Sequence, residues 1–451
     1  MGRRQQLGAR GVGAPWRPPG PVGGRWAGWV AEYEKDRLGF LMSARESYGG
    51  VVAFDSITTG VNDLELARTV LDTRAGFEIV GTFLNRRLDA DGIAARNRLR
   101  KHLNAGLRGG VLEPLRGLAS EASLGAVEAA RDRGEDVDPL PMLEELCSRL
   151  VAGYFFGEES SGRVHVEVAG LLEALSAVFG NPFALPASWP TRANRRMHRA
   201  YRALRDVVDP LVCDRAVRPR QDFASGAVVA AVAAGHTLES IADLLIGALL
   251  AAQRVPAAAA AWALHELGRD RRWAAAARGD AVRRRAVVLE TLRLYPPTWR
   301  LHRVAIRPVE LGRYRFEAGH NFVVSPYVVH RDAALFDRPD EFLPERWLDP
   351  DSRPQQLLSF GHGLHRCPGR DVSYVLLDAV LAAVLRGYDV ENVSDRVVPD
   401  PRTTLTPAGL RLRFAPRRAE QAGPWAHRTG LDLLDASGAT RSSVLPLLAT
   451  G

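Results

Sequence analysis

Lysine is nearly missing from this sequence: Lys35 and Lys101 are the only two among 60 Lys and Arg side chains. The net charge of +8 is therefore an arginine excess, spread along the chain and not gathered into a stripe. Nucleic-acid binding needs a clustered basic face or a recognisable module, and neither is present, so nucleic acid is not an expected partner. Cysteine is scarce as well. Cys147, Cys213 and Cys367 are odd in number and far apart, which argues against a disulfide framework and for a reducing, cytoplasmic location. Long hydrophobic runs are missing too: the most apolar stretch, residues 241–264, is broken by Asp243, Gln253, Arg254 and Pro256. It reads as a buried helix, and no membrane span is expected. The first residues carry Gly, Pro and basic side chains without the apolar segment of a signal peptide.

What is present is enough for a large core, with 46% hydrophobic and 25% charged residues. Helical spacing dominates. LEELCSRLVAGYFFG (143–157) is amphipathic, a long apolar helix is predicted near 238–267, and an arginine-rich helix over 281–297 ends at the Pro296-Pro297 pair. Short alternating strands are predicted between 298 and 328, and another apolar helix over 371–385. No repeat or linker divides these elements. The expected fold class is mainly α (α+β): a single large helical domain with small β-sheets over residues 26–415, after a flexible segment 1–25 and before a disordered tail 416–451.

The stretch LLSFGHGLHRCPGR, residues 357–370, places Cys367 just ahead of a helix start. Unsatisfied N–H groups and the helix dipole favour negative charge there, so the thiolate is expected to be stabilised as a nucleophile or metal ligand. Gly361, Gly363 and Gly369 allow tight turns and let a large flat group lie against the backbone, while His365 and Arg366 can face an anion.

The segment from Phe360 to Gly369 resembles the haem-binding loop of the cytochrome P450 superfamily. The resemblance implies haem b as cofactor, Cys367 as the axial ligand of its iron, Phe360 packed near the sulfur with Gly361 and Gly369 in the haem-binding loop, and His365 facing a propionate. Glu290 and Arg293 in ETLR, one helical turn apart, together with Arg346 in FLPERW, resemble the family's Glu-Arg-Arg structural network. DGIAARNRLRKHLNAGL resembles the propionate-binding helix. Arg100 matches its arginine, and Arg96 stands where the family has His or Trp, although an arginine can hold a carboxylate too; Arg303 matches a further propionate arginine. The resemblance also implies a monooxygenase, of the type that inserts oxygen from O2, acting on a hydrophobic small molecule such as a terpenoid secondary metabolite. Electrons would come from an acidic ferredoxin and its reductase, docking near Arg366, Arg370, Arg108 and Lys101, and the protein would act as a monomer. Pocket-lining segments are expected at 77–88, 175–190 and 404–409, with Phe179, Phe183 and Trp189 as aromatic candidates.

One departure stands out in the long helix. With Trp262 set on the family's usual Trp, residues 251–256 (AAQRVP) replace the family's acid-alcohol pair by Arg254, Val255 and Pro256, and no Thr, Ser, Asp or Glu lies between Gly247 and Ala263. In typical members that pair relays protons during oxygen activation, a task Val255 cannot perform and a permanently charged Arg254 performs poorly. Pro256 has no N–H for the Ala252 carbonyl, so a kink is expected. Arg254, Val255 and Pro256 are therefore candidate distal catalytic positions, although an Arg254 that snorkels to solvent fits the same residues. Two alternatives stay open. One is a peroxygenase or isomerase needing no proton relay, with Arg254 holding a substrate carboxylate; the other is a non-catalytic haem or ligand-binding protein.

Overall fold

Polar caps decide where the helices begin. Helix Leu238–Leu267 starts at Thr237, whose Oγ1 accepts from the Ser240 N–H at 3.3 Å. Helix Ala281–Leu294 starts at Asp280, whose carboxylate accepts from the N–H groups of Val282 and Arg283 at 2.8 and 3.1 Å. Asp138 does the same for helix Pro139–Phe156, with proline in the first turn, where no intrahelical N–H is required. The computed structural model describes residues 17–21, 29–79, 89–105, 107, 112–179 and 189–417; most of both expected flexible ends lies outside the described residues.

Helix Leu238–Leu267 has 30 residues, so it runs about 45 Å. It is the one helix among the described residues long and apolar enough to cross a membrane, and most of its apolar window is buried inside the protein. Helices Pro139–Phe156, Arg192–Val217, Ala281–Leu294 and Arg370–Gly387 pack against it. Ala257 to Ala261 are each at most 2% exposed, and their small side chains let the neighbouring helices approach closely. Trp262 follows. Its ring stacks on Tyr295 at 3.9 Å, and its Nε1–H donates to the Leu405 carbonyl at 3.1 Å, tying the helix to the segment before strand Thr406–Ala408.

A five-stranded mixed sheet flanks the helices in the order Val51–Ala53, Thr58–Val61, Asn321–Val324, Leu301–Ala305, Phe77–Glu78; only the second and third strands are parallel. Its last register sets Glu78 opposite Val304, next to Arg303. Smaller sheets join Asp136–Val137, Leu412–Pro416 and Tyr388–Asn392, and pair Val398–Asp400 with Thr406–Ala408.

One boundary differs from the sequence expectation. The arginine-rich helix stops at Leu294 because Tyr295 precedes a proline and is pushed out of helical geometry, to φ −126° and ψ 60°. Pro256 does not end the long helix, which continues to Leu267, although the Ala252 carbonyl loses its helical donor there. Replacing buried Pro256 by alanine restores that donor, worth ~3 kcal/mol in a helix interior. It also removes two buried methylenes, costing ~1.6 kcal/mol at ~0.8 each. Pro256→Ala should therefore raise the urea midpoint by the equivalent of about 1 kcal/mol, and an unchanged or lower midpoint would show that the helix already absorbs the proline without loss.

Candidate functional site

The site is built around Glu290, which is fully buried on helix Ala281–Leu294. Its Oε1 accepts from Arg293 Nη2 at 2.8 Å, Arg346 Nε at 3.1 Å and the Leu343 N–H at 2.9 Å, and its Oε2 from Arg293 Nε at 3.0 Å and Trp347 Nε1 at 2.8 Å. Arg293, equally buried, sends its remaining donors to the carbonyls of His330, Pro339 and Glu341, at 3.0, 2.5 and 2.8 Å. The three residues expected to form a network do so. Trp347 and His330 were not anticipated. Trp347 follows Arg346 directly, and its indole N–H needs a buried acceptor; nothing in the sequence around His330 marks it. Burial pushes the His330 imidazole down to about 3, so it stays neutral. Its Nδ1 lies 3.1 Å from the Arg293 carbonyl and its Nε2 accepts from the Leu358 N–H at 2.8 Å. Ser359 Oγ donates to the Leu292 carbonyl at 2.6 Å. The cysteine loop is thus tethered to the Glu290 helix at its first residues.

Beyond that tether the loop turns twice. Gly361 and Gly363 have φ of 70° and 68°, and a Cβ on Gly363 would come within 3.0 Å of the Leu71 carbonyl oxygen. The Cys367 N–H then closes back on the Phe360 carbonyl at 2.8 Å, and Gly369 caps helix Arg370–Gly387. Phe360 leans on Tyr374 with centroids 5.3 Å apart. Cys367 is exposed by surface area, yet desolvation by the protein around it raises its thiol above the usual value. The expected stabilised thiolate is thereby corrected for the free thiol. The Gly369 N–H and the charges of Arg100 and Arg370 favour the anion, but desolvation outweighs them. Among the described residues no group of three or more His, Cys, Asp and Glu side chains is arranged to hold a metal.

Facing the loop is a cluster of cations. Arg96 and Arg100 lie one turn apart on helix Ala90–Ala105, Arg303 is 4% exposed on its strand, and His365 is buried. Burial lowers Arg303 to about 10 and also lowers Arg100, which lies near enough to Cys367 for their charges to interact. Arg303 Nε and His365 Nδ1 are buried without a hydrogen-bond partner. Two expectations are modified here. His365 Nε2 pairs with Glu78 Oε2 at 2.7 Å, and Arg96 donates to the Ile79 carbonyl and stands 3.9 Å from Glu78. Glu78 escaped the sequence reading because nothing local distinguishes it; only the sheet register brings it here. The cluster still holds more positive than negative charge, and the Arg303 Nε–H is buried and unmet, an arrangement able to take a carboxylate-bearing ligand.

On the long helix, Arg254 is neither unpaired nor simply solvated. Its Nε lies 3.3 Å from Glu144 Oε1 on helix Pro139–Phe156, off the line of a hydrogen bond. Burial raises the Glu144 carboxyl, and Arg254 offsets part of that rise. Arg254 also borders a cavity of about 460 Å³ that brings together Ser176, Asp400, Arg402, Thr404 and Thr406. Segments 175–190 and 404–409 therefore meet there. Trp189 is 55% exposed, and Arg108, Phe183 and the Phe179 side chain lie outside what the structure describes.

Removing one partner of the Glu290 network strands buried charge, at a cost of ~3–5 kcal/mol. Glu290→Ala should lower the yield of ligand-loaded protein sharply and shift the unfolding midpoint by that amount; normal yield with a wild-type midpoint would show that the loop does not depend on this carboxylate.

The family model for cytochrome P450 matches residues 18–413. Cyclooctatin synthase of Streptomyces melanosporofaciens is 32% identical over 52% of this chain and 58% of its own length, and putative cytochrome P450 137 of Mycobacterium tuberculosis is 36% identical over 51% and 50%. The matched region thus spans little more than half of these relatives. Pentalenene oxygenase of Streptomyces avermitilis is 26% identical over 78% of this chain and 85% of its own. Among solved structures, the haem domain of cytochrome P450DA superposes with a TM-score of 0.76 at 16% identity, covering 91% of this chain and 100% of that one. A helical domain with small sheets, a cysteine loop hung from a buried Glu-Arg-Arg network and a family match across most of its length make this chain a member of the cytochrome P450 family, whose cofactor is haem b.

Proposed function

We propose that this protein is a haem-thiolate monooxygenase with Cys367 as the axial ligand, oxidising a hydrophobic, terpenoid-like small molecule with O2 and electrons from a separate ferredoxin. The observation that carries it is Cys367 on the turned loop beside a cluster of arginines in which Arg303 Nε–H is buried and unpartnered. That donor set fits haem: Arg100 and Arg303 can hold its propionates, and Gly361 and Gly363 keep the loop tightly turned. When bound, haem supplies oxygen activation, assisted by electron donation from sulfur. The protein's part is to hold the sulfur rigidly through Phe360 and Leu358, and to offset its charge with the Gly369 N–H and Arg100.

The distal side lacks the acid-alcohol pair, so protons are carried by water or by a substrate hydroxyl along the cavity that Ser176, Thr404 and Thr406 line. Glu144 already faces Arg254, so a substrate carboxylate there would have to compete with it, which weighs against the peroxygenase reading. The names cyclooctatin synthase and pentalenene oxygenase support a terpenoid substrate. We place the protein in the cytoplasm, as a monomer. Lys101 and Arg366 are exposed and Arg370 is paired with Asp371 at 2.9 Å, giving the Cys367 side a basic rim for an acidic ferredoxin.

The reading is tested by turnover of a terpenoid panel under two regimes: reduced ferredoxin with O2, and peroxide alone. Hydroxylated product is expected from the first and little from the second, and the reverse pattern would favour the peroxygenase instead. The rate of reduction by ferredoxin should fall as salt rises, because exposed charges are screened beyond about 10 Å at 0.1 M ionic strength. A salt-independent rate would remove the basic rim from the account.

A further inference from the structure

Glu78 has no part in the reaction as described, yet it is the one carboxylate among the described side chains that pairs with the cation cluster beside the cysteine loop. It is 6% exposed. Helix Ala90–Ala105, the cysteine loop and the residue following Glu78 each present it a donor or a cation. His365 Nε2 on the loop lies at 2.7 Å, the Ile79 N–H at 3.3 Å, Asn97 Nδ2 at 3.4 Å and Arg96 Nη2 at 3.9 Å. Arg100 and Arg303 lie within its electrostatic reach.

Charge counting gives this carboxylate a task. Arg96, Arg100 and Arg303 are three guanidiniums in one desolvated region, and the two haem propionates would neutralise only two of them. A half-buried guanidinium left without an anion is costly. We infer that Glu78 is the third anion of the haem site: it neutralises Arg96 and engages Nε2 of His365, so that Arg96 buttresses the site while Arg100 and Arg303 face the propionates. The inference rests on the haem reading above. It explains how arginine serves at a position where the family has His or Trp: the added charge is matched from the neighbouring strand. As a permanent anion near the haem edge, Glu78 also opposes reduction of the iron by simple electrostatics, and Arg96 favours it. Glu78 is thus a positioning residue that sets the charge of the site.

The test is a double-mutant cycle on the purified holoprotein, read as the haem midpoint potential by spectroelectrochemistry, with the thiolate-type carbon-monoxide spectrum checked for each variant. Glu78→Gln keeps the side-chain shape and removes the charge, and should shift the potential in the positive direction. Arg96→Gln should shift it in the negative direction, and the double variant should return close to wild type. Glu78→Asp, which keeps the charge, should stay near wild type. If Glu78→Gln does not accumulate, Arg96→Gln and Glu78→Asp still decide the matter. Single variants that hold a thiolate-ligated haem but leave the potential unmoved, or move it in the same direction, overturn the assignment of Glu78. A wild type that shows no thiolate spectrum overturns the haem reading instead, and the Glu78 assignment with it.

Discussion

The Glu290 carboxylate is the constraint on which the rest of the structure depends. Taking a carboxylate wholly out of water costs several kcal/mol, and only close, complete pairing repays it. Five donors supply that pairing: two from Arg293, one each from Arg346 and Trp347, and the Leu343 N–H. They come from segments some fifty residues apart, so satisfying one carboxylate fixes the path of the chain between helix Ala281–Leu294 and the segment around Trp347. Arg293 then holds the His330 carbonyl, and the neutral His330 ring passes the restraint to Leu358 at the head of the cysteine loop. Position is transmitted here by hydrogen bonds with defined directions, in a region where an unmet polar group would be expensive.

Electrostatics divides the protein into two differently organised regions. Near Cys367, the buried Arg303 and the half-buried Arg96 and Arg100 outnumber the Glu78 carboxylate, which suits a ligand that brings its own carboxylates. At the long helix the charges already answer each other, Arg254 by Glu144 and, across the cavity, Arg402 by Asp400 at 2.6 Å. The first arrangement leaves positive charge to be answered, and the second lines a cavity with hydroxyls and paired ions.

Much of this was legible in the sequence, for identifiable reasons. The long helix was readable because its apolar content over 241–264 is a local signal, and the loop because a cysteine among three glycines ahead of a helix has few other uses. Glu290, Arg293 and Arg346 were readable through spacing and order. What stayed hidden depends on distant pairing. Glu78 reaches His365 only through the register of strand Phe77–Glu78 on Leu301–Ala305, and Glu144 reaches Arg254 only through helix packing. His330 looks like any polar residue until Arg293 and Leu358 are seen on either side of it. The depressed thiol acidity of Cys367 is a further case: the helix start and glycines point to a stabilised thiolate, but the desolvation that reverses the balance is a property of the folded environment.

In the proposed function these elements hold the Cys367 sulfur in a fixed place to bind haem iron. The most direct measurement is the absorption spectrum of the reduced, carbon-monoxide-bound protein. Wild type should show the red-shifted Soret band of a thiolate ligand, and Cys367→Ala and Cys367→His should lose it while Cys147→Ala and Cys213→Ala keep it. A wild-type band at the position typical of histidine ligation, or a thiolate band that survives in Cys367→Ala, would contradict the account.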